Sequence, residues 1–180
     1  MNLFVGTPEW LIAILCALVI AAGVQDFLRL RISNLFPVGV IVAALVGITM
    51  RGWSFDVWEN FGIFAALLAI GTLLFASGFM GGGDVKLFAA VGLWTNFEHA
   101  LVLVPAVLMT GGLLALILLS RRLVPLPANA RARARTNRKV PYGVAIAIGT
   151  LIVIGVQMQS RLDSSAQLAK LSALTSRPTR

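Results

Sequence analysis

Cysteine and histidine are almost absent from this sequence. Among its 180 residues there is one of each, Cys16 and His99. A disulfide within the chain is therefore excluded, and a zinc site built from Cys and His lacks its donors. From the residue types present, we expect no metal and no cofactor.

Charged residues are also scarce. They make up 12% of the chain, against 58% hydrophobic residues, and the mean hydropathy is +0.90. A soluble helical bundle could bury one uncharged helix but not several, so this composition indicates a membrane protein. We predict an all-α, polytopic fold with about six transmembrane helices. The six apolar segments are residues 10–24, 35–50, 61–79, 85–94, 100–119 and 140–158.

The fourth segment gives the weakest signal because it is short and carries Lys86. We interpret it as a partly inserted helix, and the alternative is an amphipathic surface helix. The helices predict a membrane domain over residues 1–158 and a polar C-terminal tail over residues 159–180, either disordered or lying on the membrane surface. A basic, mobile loop is expected between residues 121 and 139.

Most of the 15 Lys and Arg residues fall in connections on one side of the predicted bundle, above all in that basic loop. Basic residues retain loops in the cytoplasm, so this side is predicted to face the cytoplasm and both termini the outside. The net charge of +8 is explained by topology, and no nucleic-acid partner is expected. The lipid bilayer is the predicted partner of this charge.

Two acidic residues stand apart from the rest. Asp26 and Asp84 fall on the predicted cytoplasmic side, each at a helix end. The others fall on the outer side: Glu9, Asp56, Glu59, Glu98 and Asp163. His99 also lies on the outer side, where we expect it to be solvated, so a Ser/His/Asp triad is not predicted. Ionisable residues at membrane depth are costly and usually functional, so Asp26 and Asp84 are the candidate site.

The sharpest local signal is Gly81-Gly82-Gly83-Asp84. Glycine permits unusual backbone conformations and close approach, so Gly81 and Gly83 are predicted to shape a bend that presents Asp84. The alternative is that the glycines end one helix and Asp84 caps the next. Lys86 could tune Asp84 or contact a substrate, or it could extend to the lipid headgroups.

Asp26 precedes Arg29 and Arg31, and alone it is explained by an ion pair at helical spacing. Considered together with Asp84, it can instead be interpreted as one member of a carboxyl pair, because two carboxyls close together can share one proton. The ionised member can take a proton from an attacking water while the protonated member donates one. The sequence therefore predicts acid/base activation of water by this pair.

These residues resemble the type IV prepilin peptidases, aspartic proteases of the bacterial inner membrane. In the family's order, Asp26 is followed by a basic stretch and by Ile32-Ser33-Asn34, where the family has an Ile-Pro-Asn-like end. Gly81 to Asp84 matches its Gly-x-Gly-Asp motif. The stretch from residue 141 to 143 matches its Pro-Tyr/Phe-Gly. The resemblance covers residues 8–158, and Ser33 departs from the usual proline.

The resemblance implies that Asp26 and Asp84 are the catalytic pair of a peptidase that removes the basic leader of a prepilin-like membrane substrate. The paired Cys-x-x-Cys motifs that accompany methyltransferase activity in larger members are absent, so that activity is not expected. The chain resembles the short, peptidase-only enzymes of Flp and tight-adherence pilus systems. Two alternatives are a small ion- or proton-coupled transporter and a non-catalytic pilus-assembly subunit.

Overall fold

In a computed structural model of the protein, residues 1–123 and 141–175 are described, and all regular secondary structure in this part of the chain is helical. The predicted all-α, polytopic membrane fold is confirmed. The helices are α1 Leu3–Gly6, α2 Glu9–Arg29, α3 Leu35–Arg51, α4 Val57–Ala76, α5 Gly82–Gly92, α6 Phe97–Leu123 and α7 Tyr142–Thr175.

Each of the six predicted apolar segments coincides largely with one helix, with 61–79 and 85–94 extending two or three residues past α4 and α5, and the helices differ in length. Within residues 1–123 and 141–175, four helices are long and apolar enough to cross a membrane: α2, α4, α6 and α7. The apolar helix α3 is shorter, with 17 residues. With 11 residues, α5 is too short to cross, as the weakness of this segment in the sequence suggested.

The short helix α5 lies inside the bundle. It contacts α3, α4 and α7, while α2 packs between α3 and α7, and α6 packs along α7. Every side chain of α5 from Leu87 to Val91 is buried, whereas large apolar side chains on the outer helices, such as Leu73 of α4 and Met109 of α6, are exposed. Such an apolar exterior suits lipid, because lipid does not drive apolar side chains inward as water does.

Small residues allow the helices to approach closely. A Cβ on Gly71 of α4 would lie 2.7 Å from Val85 of α5, and one on Gly149 of α7 would lie 2.7 Å from Val107 of α6. Close packing of this kind is one of the forces that associate helices in membranes.

The C-terminal part of the chain continues α7 without a break as far as Thr175. The division of the chain at residue 158 stays a prediction. The predicted basic loop lies almost entirely outside the described residues, as do residues 176–180.

Candidate active site

A cavity of about 670 Å³ opens at one end of the bundle. It is formed by the end of α2, the α2–α3 connection, the α4–α5 connection and the first residue of α7. Asp26, Asp84 and Tyr142 all line it. The fold thus brings the two carboxyls into one cavity, which we call the carboxyl pocket, although they are far apart in the sequence.

Asp26 lies in the last turn of α2. Its backbone carbonyl accepts a hydrogen bond of 2.7 Å from the N–H of Leu30, which ends the helix in a left-handed conformation with φ 52°. The side chain is 3% exposed. Its Oδ2 accepts a hydrogen bond of 2.8 Å from the backbone N–H of Gly143. Neither Arg29 nor Arg31 forms an ion pair with it, so the ion pair at helical spacing that could have explained Asp26 is not formed.

Asp84 lies in the first turn of α5 and is 6% exposed. Its Oδ2 accepts a hydrogen bond of 3.2 Å from the N–H of Gly81, while its buried Oδ1 has no partner. Burial first, and then the charge of Asp26, raise the pKa of Asp84 to about 7. Asp84 therefore caps its helix, as one interpretation predicted, and is also a carboxyl that holds its proton near neutral pH.

The three glycines serve close approach more than unusual backbone angles. Gly81 has an extended conformation with φ −78°, and the positive φ in this region belongs to Gly78 at +76°. A Cβ on Gly83 would lie 3.0 Å from both the Cβ and the carbonyl oxygen of Ile32. Gly83 thus lets the first turn of α5 lie directly against the α2–α3 connection, beside Asp26.

Ser33, which stands where the resemblance leads us to expect proline, uses a group that proline lacks. Its backbone N–H donates a hydrogen bond of 2.6 Å to Oε1 of Gln25, the residue immediately before Asp26. Lys86 does not line the pocket and donates a hydrogen bond of 3.0 Å to Oδ1 of Asn34. Its possible effect on Asp84 or on a substrate stays a prediction.

Three residues at or beside the pocket were not singled out from the sequence as site residues: Tyr142, which lines it, and Gly143 and Gln25, which bond to Asp26 and Ser33 respectively. The only signal for the first two was their position in the Pro-Tyr-Gly motif. No group of three or more His, Cys, Asp or Glu residues is placed to hold a metal within residues 1–123 and 141–175.

Two buried carboxyls in one pocket, of which Asp84 retains its proton near neutral pH, are equipped for acid/base chemistry. The fold and this pocket define a polytopic membrane protein with a paired-carboxyl site. The type IV leader peptidase family matches residues 13–119, which include α3 to α5, most of α2 and α6, and both carboxyls. The chain belongs to this family and is a protease. No curated protein and no solved structure matched it.

Proposed function

We propose that this protein is an aspartic endopeptidase that removes the basic leader from prepilin-like substrates at the cytoplasmic face of the bacterial inner membrane. One observation carries the proposal: the family match includes Asp26 and Asp84, and both side chains line one pocket. The pair is the catalytic machinery, and water is the second substrate.

Hydrolysis by the pair needs no covalent intermediate. The ionised carboxylate takes one proton from water as the water oxygen attacks the scissile peptide carbonyl, and the protonated carboxyl donates to the developing oxyanion. The C–N bond then breaks as the amide nitrogen receives a proton, which yields a carboxylic acid and an amine. The buried setting strengthens these interactions because little water screens them.

The substrate follows from the family and from the shape of the pocket. Phe75, Phe79 and Met80 supply apolar surface beside Asp84. They suit an apolar segment next to the scissile bond. A basic leader would remain on the side where the chain's own Lys and Arg residues concentrate, held there by anionic lipid headgroups.

The proposal is tested with purified enzyme in lipid bilayers and a membrane-inserted peptide that has a lysine-rich leader, a glycine and an apolar helix. Wild type should cleave it once, and Asp26→Asn and Asp84→Asn should each lower the rate by at least ~10³-fold. Asp163→Asn, an exposed aspartate of α7, is the matched control and should keep the rate. Cleavage by either pocket variant at the wild-type rate would refute the proposed roles, and intact peptide with wild type would refute the proposed activity.

A further inference from the structure

The backbone N–H of Gly143 is available to a partner outside its own helix. Gly143 is the second residue of α7, and the first four N–H groups of a helix have no acceptor within it. This N–H donates to Oδ2 of Asp26 at 2.8 Å, across 117 positions of sequence. The positive end of the helix dipole points the same way and favours a negative charge at that oxygen.

The two carboxyls are supported unequally. Asp26 accepts a hydrogen bond of 2.8 Å from the N–H of Gly143 on another helix. The same N–H lies near Asp84 and lowers its pKa, but less than the N–H of Gly81 does. Asp84 accepts a longer bond of 3.2 Å from Gly81 and has a buried Oδ1 with no partner. An ionised oxygen without a donor is costly in a buried site, while a protonated carboxyl carries its own donor. The raised pKa of Asp84, about 7, agrees with this assignment.

Only glycine fits at position 143. A Cβ there would lie 2.7 Å from Cδ1 of Ile32 and 2.9 Å from both Cβ and Oδ2 of Asp26. Because two of these contacts are to Asp26 itself, an added methyl should push Asp26 and the start of α7 apart and so lengthen or break the hydrogen bond, even where Ile32 turns away. The position lies beyond the residues that the family match covers.

From this asymmetry we infer that Gly143 is a positioning residue whose N–H holds Asp26 as the ionised, proton-accepting member of the pair, leaving Asp84 as the proton donor. The inference rests on the proposed peptidase function. The charged and titratable groups that line the pocket with Asp26 are Asp84 on α5, Arg31 on the α2–α3 connection and Tyr142 on α7. Arg29 lies on α2 itself, and Lys86 is bonded to Asn34.

The first test is Gly143→Ala, measured with the membrane-inserted peptide over a range of pH. We expect kcat to fall by about tenfold or more with little change in KM, because a hydrogen bond to a charged group is lost. The low-pH limb of the profile should move up by about one pH unit, since the N–H no longer favours the carboxylate. Gly155→Ala on the same helix, where a Cβ meets nothing within 4 Å, should leave the profile unchanged.

A second variant gives the added methyl more room. Ile32→Val removes the Cδ1 nearest to that methyl, while the methyl's contacts at 2.9 Å with Asp26 remain. Compared with Ile32→Val alone, Ile32→Val/Gly143→Ala should therefore show the same shift of the low-pH limb. A low-pH limb that stays in place in both comparisons would overturn the inference. If wild type still cleaves the peptide and Asp26→Asn does not, that outcome leaves the proposed peptidase function intact.

Infrared spectroscopy tests the assignment without any activity. The C=O band of a buried protonated carboxyl should persist to higher pH in Asp26→Asn, where Asp84 remains, than in Asp84→Asn, where Asp26 remains with its hydrogen bond from Gly143. The opposite result would overturn the inference, whether or not the Gly143 variants fold.

Discussion

Each end of the bundle buries polar side chains, but the two ends do so differently. At the end opposite the carboxyl pocket, the amide of Asn60 is fully buried, and its Nδ2 lies 2.9 Å from the carbonyl oxygen of Leu93 and 3.0 Å from that of Thr95. Its Oδ1 is unpartnered, like Oδ1 of Asp84. A buried oxygen without a donor costs a modest free energy in a neutral amide. In a carboxyl the cost is much larger when the group is ionised, so the carboxyl keeps its proton.

The comparison separates a structural polar site from a chemical one. Asn60 fastens α4 to the segment that follows α5, and its protonation cannot change. Asp26 and Asp84 also make structural hydrogen bonds, but in the proposed mechanism their role is to exchange protons with a substrate and water. We therefore expect changes at the Asn60 end to alter stability alone, and changes at the carboxyl pocket to alter chemistry and pH dependence.

The largest effect on stability should come from the pH dependence that Asp84 imposes. Its pKa is about 7 in the folded protein against an ordinary value of 3.8, so the folded state holds an extra proton between these values. Stability should be greatest below this window and fall as pH rises through it, by up to about tenfold in the unfolding equilibrium constant per pH unit. Above it, the curve should be flat.

Asp84→Asn should remove this slope, and denaturation in mixed detergent micelles between pH 4 and 8 measures it. Asp163→Asn is the control and should retain the slope. An unchanged slope in Asp84→Asn would contradict the raised pKa.

The next effect concerns Asn60→Ala. It should lower the free energy of unfolding by about 2 kcal/mol, because two buried carbonyls lose their donor. Cleavage per folded molecule should stay within about twofold of wild type, as for changes remote from a site. A tenfold loss of activity in fully folded protein would show that the two ends are not independent.

A smaller effect should come from a pair of glycines on the same helix interface. A Cβ on Gly71 would lie 2.7 Å from Val85, next to Asp84, and one on Gly92 would lie 2.6 Å from the tip of Leu67, near the other end. Val85 is restricted at χ1 and cannot easily move away from an added methyl, whereas the tip of Leu67 can rotate away. Gly71→Ala should therefore lower the free energy of unfolding by about 1–2 kcal/mol, and Gly92→Ala by less.

Only Gly71→Ala should also slow cleavage, because it shifts the turn that carries Asp84. Both variants are measured for unfolding and for kcat. Equal loss of activity in the two would remove the distinction between the ends.

The smallest effect is expected for Ser33→Pro. It deletes the N–H that donates to Gln25, which should cost about 1 kcal/mol, partly offset because proline restricts the unfolded chain. Thermal unfolding and kcat should change slightly, and Gln25→Ala should change them no further in the proline variant. Additive losses in the double variant would mean that Gln25 acts through another contact.

The fold could be predicted largely from hydropathy, because each long apolar segment must satisfy its backbone within a helix. Sorting the acidic residues by membrane side also selected Asp26 and Asp84. What could not be predicted depends on contacts between distant segments. Neither the bond from Gly143 to Asp26 nor that from Ser33 to Gln25 follows a local pattern, and His99, expected to be solvated, is half-buried and hydrogen-bonded with Asn96 and Asn2.

The reason for the glycines was also only partly predicted. Unusual backbone angles were one of two expected roles, yet close approach to Ile32 is the role seen at Gly83. A sequence shows that a side chain is missing, while the neighbour that occupies the space is known only from the fold.

The shortness of α5 has a consequence for the bilayer. Eleven residues rise about 16 Å, roughly half of a 30 Å hydrocarbon core. Its far end is tied to protein, since Nε1 of Trp94 donates to the carbonyl of Val40 at 3.1 Å. A thicker or thinner membrane should therefore first change the tilt of the lipid-facing helices. Because α5 is packed inside the bundle, it should move only when these helices move. The position of Asp84 along the membrane normal is thus fixed by the helices packed around α5, and a mismatch in membrane thickness should affect this carboxyl only through those helices.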